Sequence, residues 1–333
     1  MMSMDILSEK LLNQIKAEAF NDTFGTNVDL ASIEPRLAEL MLEIGANIQI
    51  KKCLESIKGE SNYMDPFGIS KELIRAHFFR NDKYWEKLKD VAIGSTVSCN
   101  VNAMAIKGNQ GEIAIIFDHG LVVFVVQLYQ IILDYFLSNS RKAKNEETKA
   151  LLKGMAKDYI CCKKIANLRN NYSKEIDYLS GSLGMEFLRF CLFHEVGHVV
   201  LSHFNEVPAY KDEVNQIRFS QQLELDADKF AYQQWKSNSP VSTDPKNNLK
   251  GIDTIYKINP VEIQPIWELF HPLTIQIVCL VFELFDEYVD EDHSTHPLWR
   301  TRRKSLPKQH EAQFSTKQEK ILETVSILCD LPL

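Results

Sequence analysis

The 333-residue chain has little of what would set it apart from ordinary folded proteins. Glycine (13) and proline (11) are too few for a collagen-like, low-complexity or largely disordered chain. Basic charge is not in excess: 38 Lys and Arg against 45 Asp and Glu leave a net charge of −7, which argues against gripping nucleic acid through a large basic surface. The most apolar stretches, Leu121–Leu133 and Leu273–Phe285, are interrupted by Gln or Glu and fall short of the roughly 20 residues that span a bilayer. The N-terminal MMSMDILSEKLLNQIKAEAF has acidic residues inside an amphipathic pattern and lacks the apolar core of a signal peptide, so a soluble cytoplasmic protein is the expectation. The seven cysteines (Cys53, Cys99, Cys161, Cys162, Cys191, Cys279, Cys329) are odd in number and scattered, which suits small core residues in a reducing compartment better than a disulfide framework.

What is present is mostly helical periodicity. Residues 5–60 place Ile6, Leu11, Leu12, Ile15, Leu37, Leu40, Met41 and Ile44 at helical spacing, with a break at Pro35. Alternation of Val97, Cys99 and Val101, and the run Glu112–Asp118 bounded by Gly111 and Gly120, predict two paired strands. The run from Leu121 to Leu137 reads as a buried helix, and the charged 138–150 as a solvated helix end or loop. Gly181–Phe204 is apolar nearly all round, as in a helix at the centre of a domain. Further helices are expected over Val214–Trp235, Pro260–Glu287 and Thr316–Leu328, with a loop at 236–248 that is either a surface connection or a mobile flap.

The chemistry concentrates in His194-Glu195-Val196-Gly197-His198, inside the apolar helix. At this spacing the two imidazoles lie about 40° apart around a helix and one turn along, so both can reach one metal ion. Glu195 beside them is the residue type that takes a proton from an activated water, the role of this pattern in zinc hydrolases. Two satisfied core histidines are the plainer alternative, but the polar groups need partners in such a helix, and ligation supplies them. A third ligand is needed. Leu201 and Phe204 exclude the extended metzincin pattern, and His203 is expected at the helix end as a surface or capping residue. Glu224-Leu225-Asp226-Ala227-Asp228 offers Glu224 as ligand, with Asp228 on the same face to orient a ligand histidine; an acidic solvated face is the alternative.

At these residues the chain resembles the gluzincin metallopeptidases, in particular the HtpX-like and prenyl-protein-protease branch, whose HExxH is followed by ExxAD. Asn102-Ala103-Met104-Ala105 with Gly111 and the following Ile115–Val125, and Ser294-Thr295-His296-Pro297 with Arg302, are similar to further motifs of that branch, in the same order. The resemblance spans roughly residues 95–305 and implies an α+β, mainly helical fold: a zincin-type core with a small antiparallel sheet beside the HExxH helix. By this likeness a helical region of unknown role (1–90) precedes a peptidase domain (91–333) with an insertion around 138–180 and a C-terminal helix.

The resemblance implies Zn²⁺ held by His194, His198 and Glu224, with Glu195 as general base and His296 stabilising the tetrahedral intermediate. It places Asn102 and Ala103 on an edge strand that pairs with a protein or peptide substrate, and Arg302 among the groups organising or binding at that site. Read without the family, His296 and Arg302 are a surface His-Pro turn before a basic cluster. Size, solubility and HExxH are also similar to the Lit phage-exclusion peptidases, which implies one dedicated cytoplasmic target. A catalytically silent binding module that keeps the fold is the competing reading.

Overall fold

The computed structural model describes residues 82–96, 101–138, 141–162, 172–205, 213–237, 259–288, 296–306 and 314–331, with a few positions before residue 82. Most of the N-terminal helical stretch, the loop from residue 238 and Ser294-Thr295 lie outside the described residues. In chain order come α1 (Asp82–Leu88), β1 (Ala92–Thr96), β2 (Ala103–Lys107), β3 (Ile113–Asp118), α2 (His119–Leu137), α3 (Arg141–Cys162), α4 (Lys174–Val200), a 3₁₀ turn at His203–Asn205, and α5 (Glu213–Ser237). After these follow α6 (Pro260–Phe270), 3₁₀ turns at His271–Leu273 and Glu283–Tyr288 flanking α7 (Thr274–Phe282), then α8 (Trp299–Ser305) and α9 (Thr316–Leu328). The chain packs as two compact units, one of residues 1–124, 163–170 and 195–206, the other of 125–162, 171–194 and 207–333.

The first unit is built on a three-stranded sheet in the order β1-β3-β2. β1 runs parallel to β3 from Ala92 opposite Ala114 to Thr96 opposite Asp118, and β2 runs antiparallel to β3 from Ala103 opposite Phe117 to Lys107 opposite Ile113. The sheet is therefore mixed, where the gluzincin resemblance implies an antiparallel one. β3 is central and buried from Ala114 onward, which explains its continuous Ile-Ala-Ile-Ile-Phe character. The overlooked strand, β1, reads AIGST: a short run containing Gly has no alternation to reveal it. Of the alternating Val97, Cys99 and Val101, the first two lie outside the described residues, and the strand that pairs with β3 is the one that follows. Ala92, Ala114 and Ile116 form a core cluster with Leu11, Met104 and Ile106 packed on it. The β2–β3 connection turns at Gly111, whose φ of +89° suits only glycine without strain.

The second unit is helical. From Arg141 the charged stretch proves to begin α3, in which Thr148, Leu152, Met155 and Ala156 make a buried stripe at helical spacing while Glu146 and Lys153 are exposed. The apolar 260–287 is broken into pieces. Pro272 has no N–H to continue the ladder, and a 3₁₀ turn replaces it. α7 is buried nearly all round, and Tyr129 of α2 donates to the carbonyl of Thr274 at 2.7 Å. Gly120–Leu137 and Val261–Asp286 have the length and hydropathy of a membrane span, contrary to the shorter runs read from the sequence, but 78% of each such window is buried inside the protein. A Cβ at Gly184 would stand 3.1 Å from Val126 Cγ2, so this glycine lets α2 and α4 approach closely. α9 begins where the sequence places it, with a capping box between Ser315 and Gln318.

Candidate metal centre

α4 carries the HEVGH segment in the last two turns of a 27-residue helix. Its start is marked by Ser173, whose hydroxyl accepts from Ile176 N at 3.3 Å, and by Glu175 and Asp177 in the first turn. Its end is enforced by Ser202, which takes a left-handed φ of +65°. Between these, Leu192, Phe193 and Val196 are fully buried, and packing fixes the rotation of the helix.

His194 is buried, and charge holds both its nitrogens. Nδ1 donates to Asp228 Oδ1 at 2.8 Å, and Nε2 lies 3.2 Å from Glu224 Oε2, both acceptors coming from the facing positions i and i+4 of α5. Arg302 of α8 clamps Asp228 with two parallel bonds, Nε to Oδ2 at 2.8 Å and Nη2 to Oδ1 at 2.7 Å. Its Nη2 also comes within 3.5 Å of His194 Nδ1, because the two donors share Oδ1. The guanidinium carbon sits 4.2 Å from the centre of the Trp299 ring.

Burial alone would lower the pKa of His194, but the hydrogen bond and charge of Asp228, with Glu224 behind them, raise it to about 10. Burial likewise works against the charged Asp228, and Arg302 with His194 overturns it, holding that carboxyl at about 2. Asp228, and after it Glu224, thus favour the protonated ring of His194.

His198 stands one turn further along, and its partner is unexpected. His203, expected at the helix end as a surface or capping residue, does follow the helix but is buried at 6% exposure, with Nδ1 3.0 Å from His198 Nδ1 and the rings nearly perpendicular. The left-handed Ser202 reverses the chain and swings the next side chain back onto the helix. The signal in the sequence was a third histidine within five residues of HExxH, at the end of the apolar run.

Glu195 is buried beside His194. His296 is 65% exposed and its Nε2 lies 3.8 Å from Glu224 Oε1. Arg302, expected to organise the site or bind at it, is buried, with its guanidinium paired to Asp228. Its helix is set by Asp286, which accepts from the backbone N–H of Trp299 and of Arg300 at 2.7 and 2.9 Å. The surrounding basic residues are not a loose cluster either, since Arg303 pairs with the buried Glu283. Ala103 opens β2, an edge strand of the sheet, and the carbonyl of exposed Asn102 accepts from Asp118 N at 2.9 Å. Cys279 and Cys329 are buried free thiols that burial pushes up to about 12, so neither supplies a thiolate at neutral pH.

His194, His198 and Glu224 each offer one ligand atom, and these atoms lie within 4.8 Å of one another. Two imidazole nitrogens and one carboxylate oxygen are a donor set that suits zinc with a coordination position left open. No curated protein and no solved structure matches the chain. The family model of Peptidase U49 matches residues 141–321, a span that includes HEVGH, Glu224, Asp228, His296 and Arg302 and ends before the last turns of α9. That match covers more than half of the chain, and the chain belongs to the peptidase U49 family.

Proposed function

We propose that this peptidase is a zinc-dependent endopeptidase of gluzincin type, acting on a protein substrate. The observation that carries the reading is the convergence of His194, His198 and Glu224, with Asp228 on the second nitrogen of His194. Zinc bound there would supply a Lewis acid able to polarise a scissile carbonyl and to bring the pKa of a water to about 7. His194, His198 and Glu224 would hold the ion. Glu195 takes the proton of the attacking water and passes it to the leaving amine, work worth about 10²–10⁴ in rate for a positioned acid–base group. His296, exposed and close to Glu224, donates to the developing oxyanion. The edge that β2 presents among the described residues, with Asn102 and Ala103 at its start, pairs with the backbone of an extended substrate. Arg302 serves by fixing Asp228.

Within this reading, the U49 match favours the Lit-like variant, a peptidase with one dedicated protein target, over the HtpX-like one. The buried free thiols suit the reducing cytoplasm as its compartment. Glu195→Gln tests the proposal. Elemental analysis should find about one zinc per chain in both wild type and variant, and cleavage of a proteome-derived peptide library should fall in the variant by about 10²–10⁴. An active Glu195→Gln chain sinks the mechanism, and a wild type that binds no zinc sinks the metal reading.

A further inference from the structure

We infer that His203 is a positioning residue for the metal ligand His198, an inference that rests on the zinc reading above. The turn that carries His203 is built with care. α4 closes with Leu201 N donating to Gly197 O at 2.9 Å and Ser202 N to Val199 O at 3.1 Å. Ser202 then adopts the left-handed conformation that non-glycine residues avoid. Lys87 holds it there. From α1 its Nζ donates to the carbonyl of Val200 at 2.5 Å and to the hydroxyl of Ser202 at 2.9 Å, tying the last helical carbonyl and the strained residue to one cation. A conformation so determined places the next ring, and that ring is His203.

Two imidazoles that meet through their Nδ1 atoms at 3.0 Å need one donor and one acceptor. With His198 as donor, its proton sits on Nδ1 and its lone pair on Nε2, so that Nε2 is the atom that would meet the zinc. His203 is then the neutral acceptor. It does for His198 what Asp228 does for His194, and its own ring packs at 80° to the one it orients.

The test uses the full chain. Zinc affinity is measured by competition with a chromogenic chelator for wild type, His203→Phe and His203→Asn, with folding followed by circular dichroism. Nitrogen-15 shifts of histidine are recorded on the zinc-loaded wild type. Phe keeps a ring without the acceptor and should weaken zinc by about 10- to 100-fold, whereas Asn, whose side-chain oxygen accepts the same proton, should retain most of the affinity. The shifts should show His198 protonated at Nδ1 and metal-bound at Nε2. Wild-type affinity in a folded His203→Phe chain, or His198 bound through Nδ1, overturns the inference alone. If the Phe variant does not fold, the wild-type shifts decide. A wild type that takes up no zinc overturns the zinc reading and this inference with it.

Discussion

The two histidines of HEVGH stand one helical turn apart and are held by opposite means. His194 sits in buried charge: Asp228 on one nitrogen, Glu224 on the other, and Arg302 closing the network from behind. His198 is met by a second imidazole on a turn whose shape depends on one lysine. Buried charges fix protonation and orientation strongly, but each ion left without its partner is costly. A neutral partner sets only the tautomer and the angle of the ring, and its loss leaves nothing charged behind. Damage on the His194 side should therefore appear as lost stability together with lost metal, and on the His198 side as lost metal in a fold that survives.

The largest effect is expected at Asp228. Asp228→Ala removes the acceptor of His194 and leaves the guanidinium of Arg302 buried without a carboxylate, a loss of about 3–5 kcal/mol in unfolding free energy by urea titration. Asp228→Asn keeps an oxygen for His194 but not the charge for Arg302, and should fall between Ala and wild type. An Asp228→Ala chain as stable as wild type would erase the distinction between the two histidines.

How much of this could be read beforehand depends on the kind of pattern. The pair His194 and His198, the carboxylates Glu224 and Asp228, and the helices that carry them follow from helical spacing, because i and i+4 side chains share a face wherever the helix lies. α9 was legible for the same reason, with its boundary marked by Ser315. β1 was not, because a parallel partner is chosen by tertiary pairing and a five-residue strand containing glycine shows no period. The polar opening of α3 hid a helix whose buried stripe starts only at Thr148. His203 was misplaced because its position depends on one left-handed serine, and serine carries no strong preference for that conformation. Arg302 looked basic and exposed until Asp228 and Trp299 were seen to enclose it.

A smaller effect is expected at Lys87, which sharpens the comparison from the His198 side. Lys87→Met keeps the length of the side chain but removes the donor to Val200 O and Ser202 Oγ and the positive charge at the end of α4. The expected loss is about 0.5–2 kcal/mol in urea unfolding. Zinc affinity should fall by less than in His203→Phe, since the turn loosens but the acceptor remains. A Lys87→Met chain that loses as much stability as Asp228→Ala would mean that the turn, and not the charge network, is the firmer anchor.

The smallest effect is expected at Asp330, which separates burial from charge. Like Asp228, its carboxyl is held at about 2, but here hydrogen bonds from Lys149 and Lys153 do it at an exposed position following α9. The folded-state pKa lies below the ordinary 3.8, so the stabilisation is present at neutral pH and is lost as pH falls from about 4 towards about 2. Asp330→Asn should lower the melting temperature slightly at pH 7, and the difference from wild type should close across that acid window. Water and salt screen both lysines, so the difference should shrink further in high salt. If Asp330→Asn at pH 7 costs as much as Asp228→Ala, the strength of the His194 anchor does not come from burial, and the contrast drawn between the two histidines has the wrong cause.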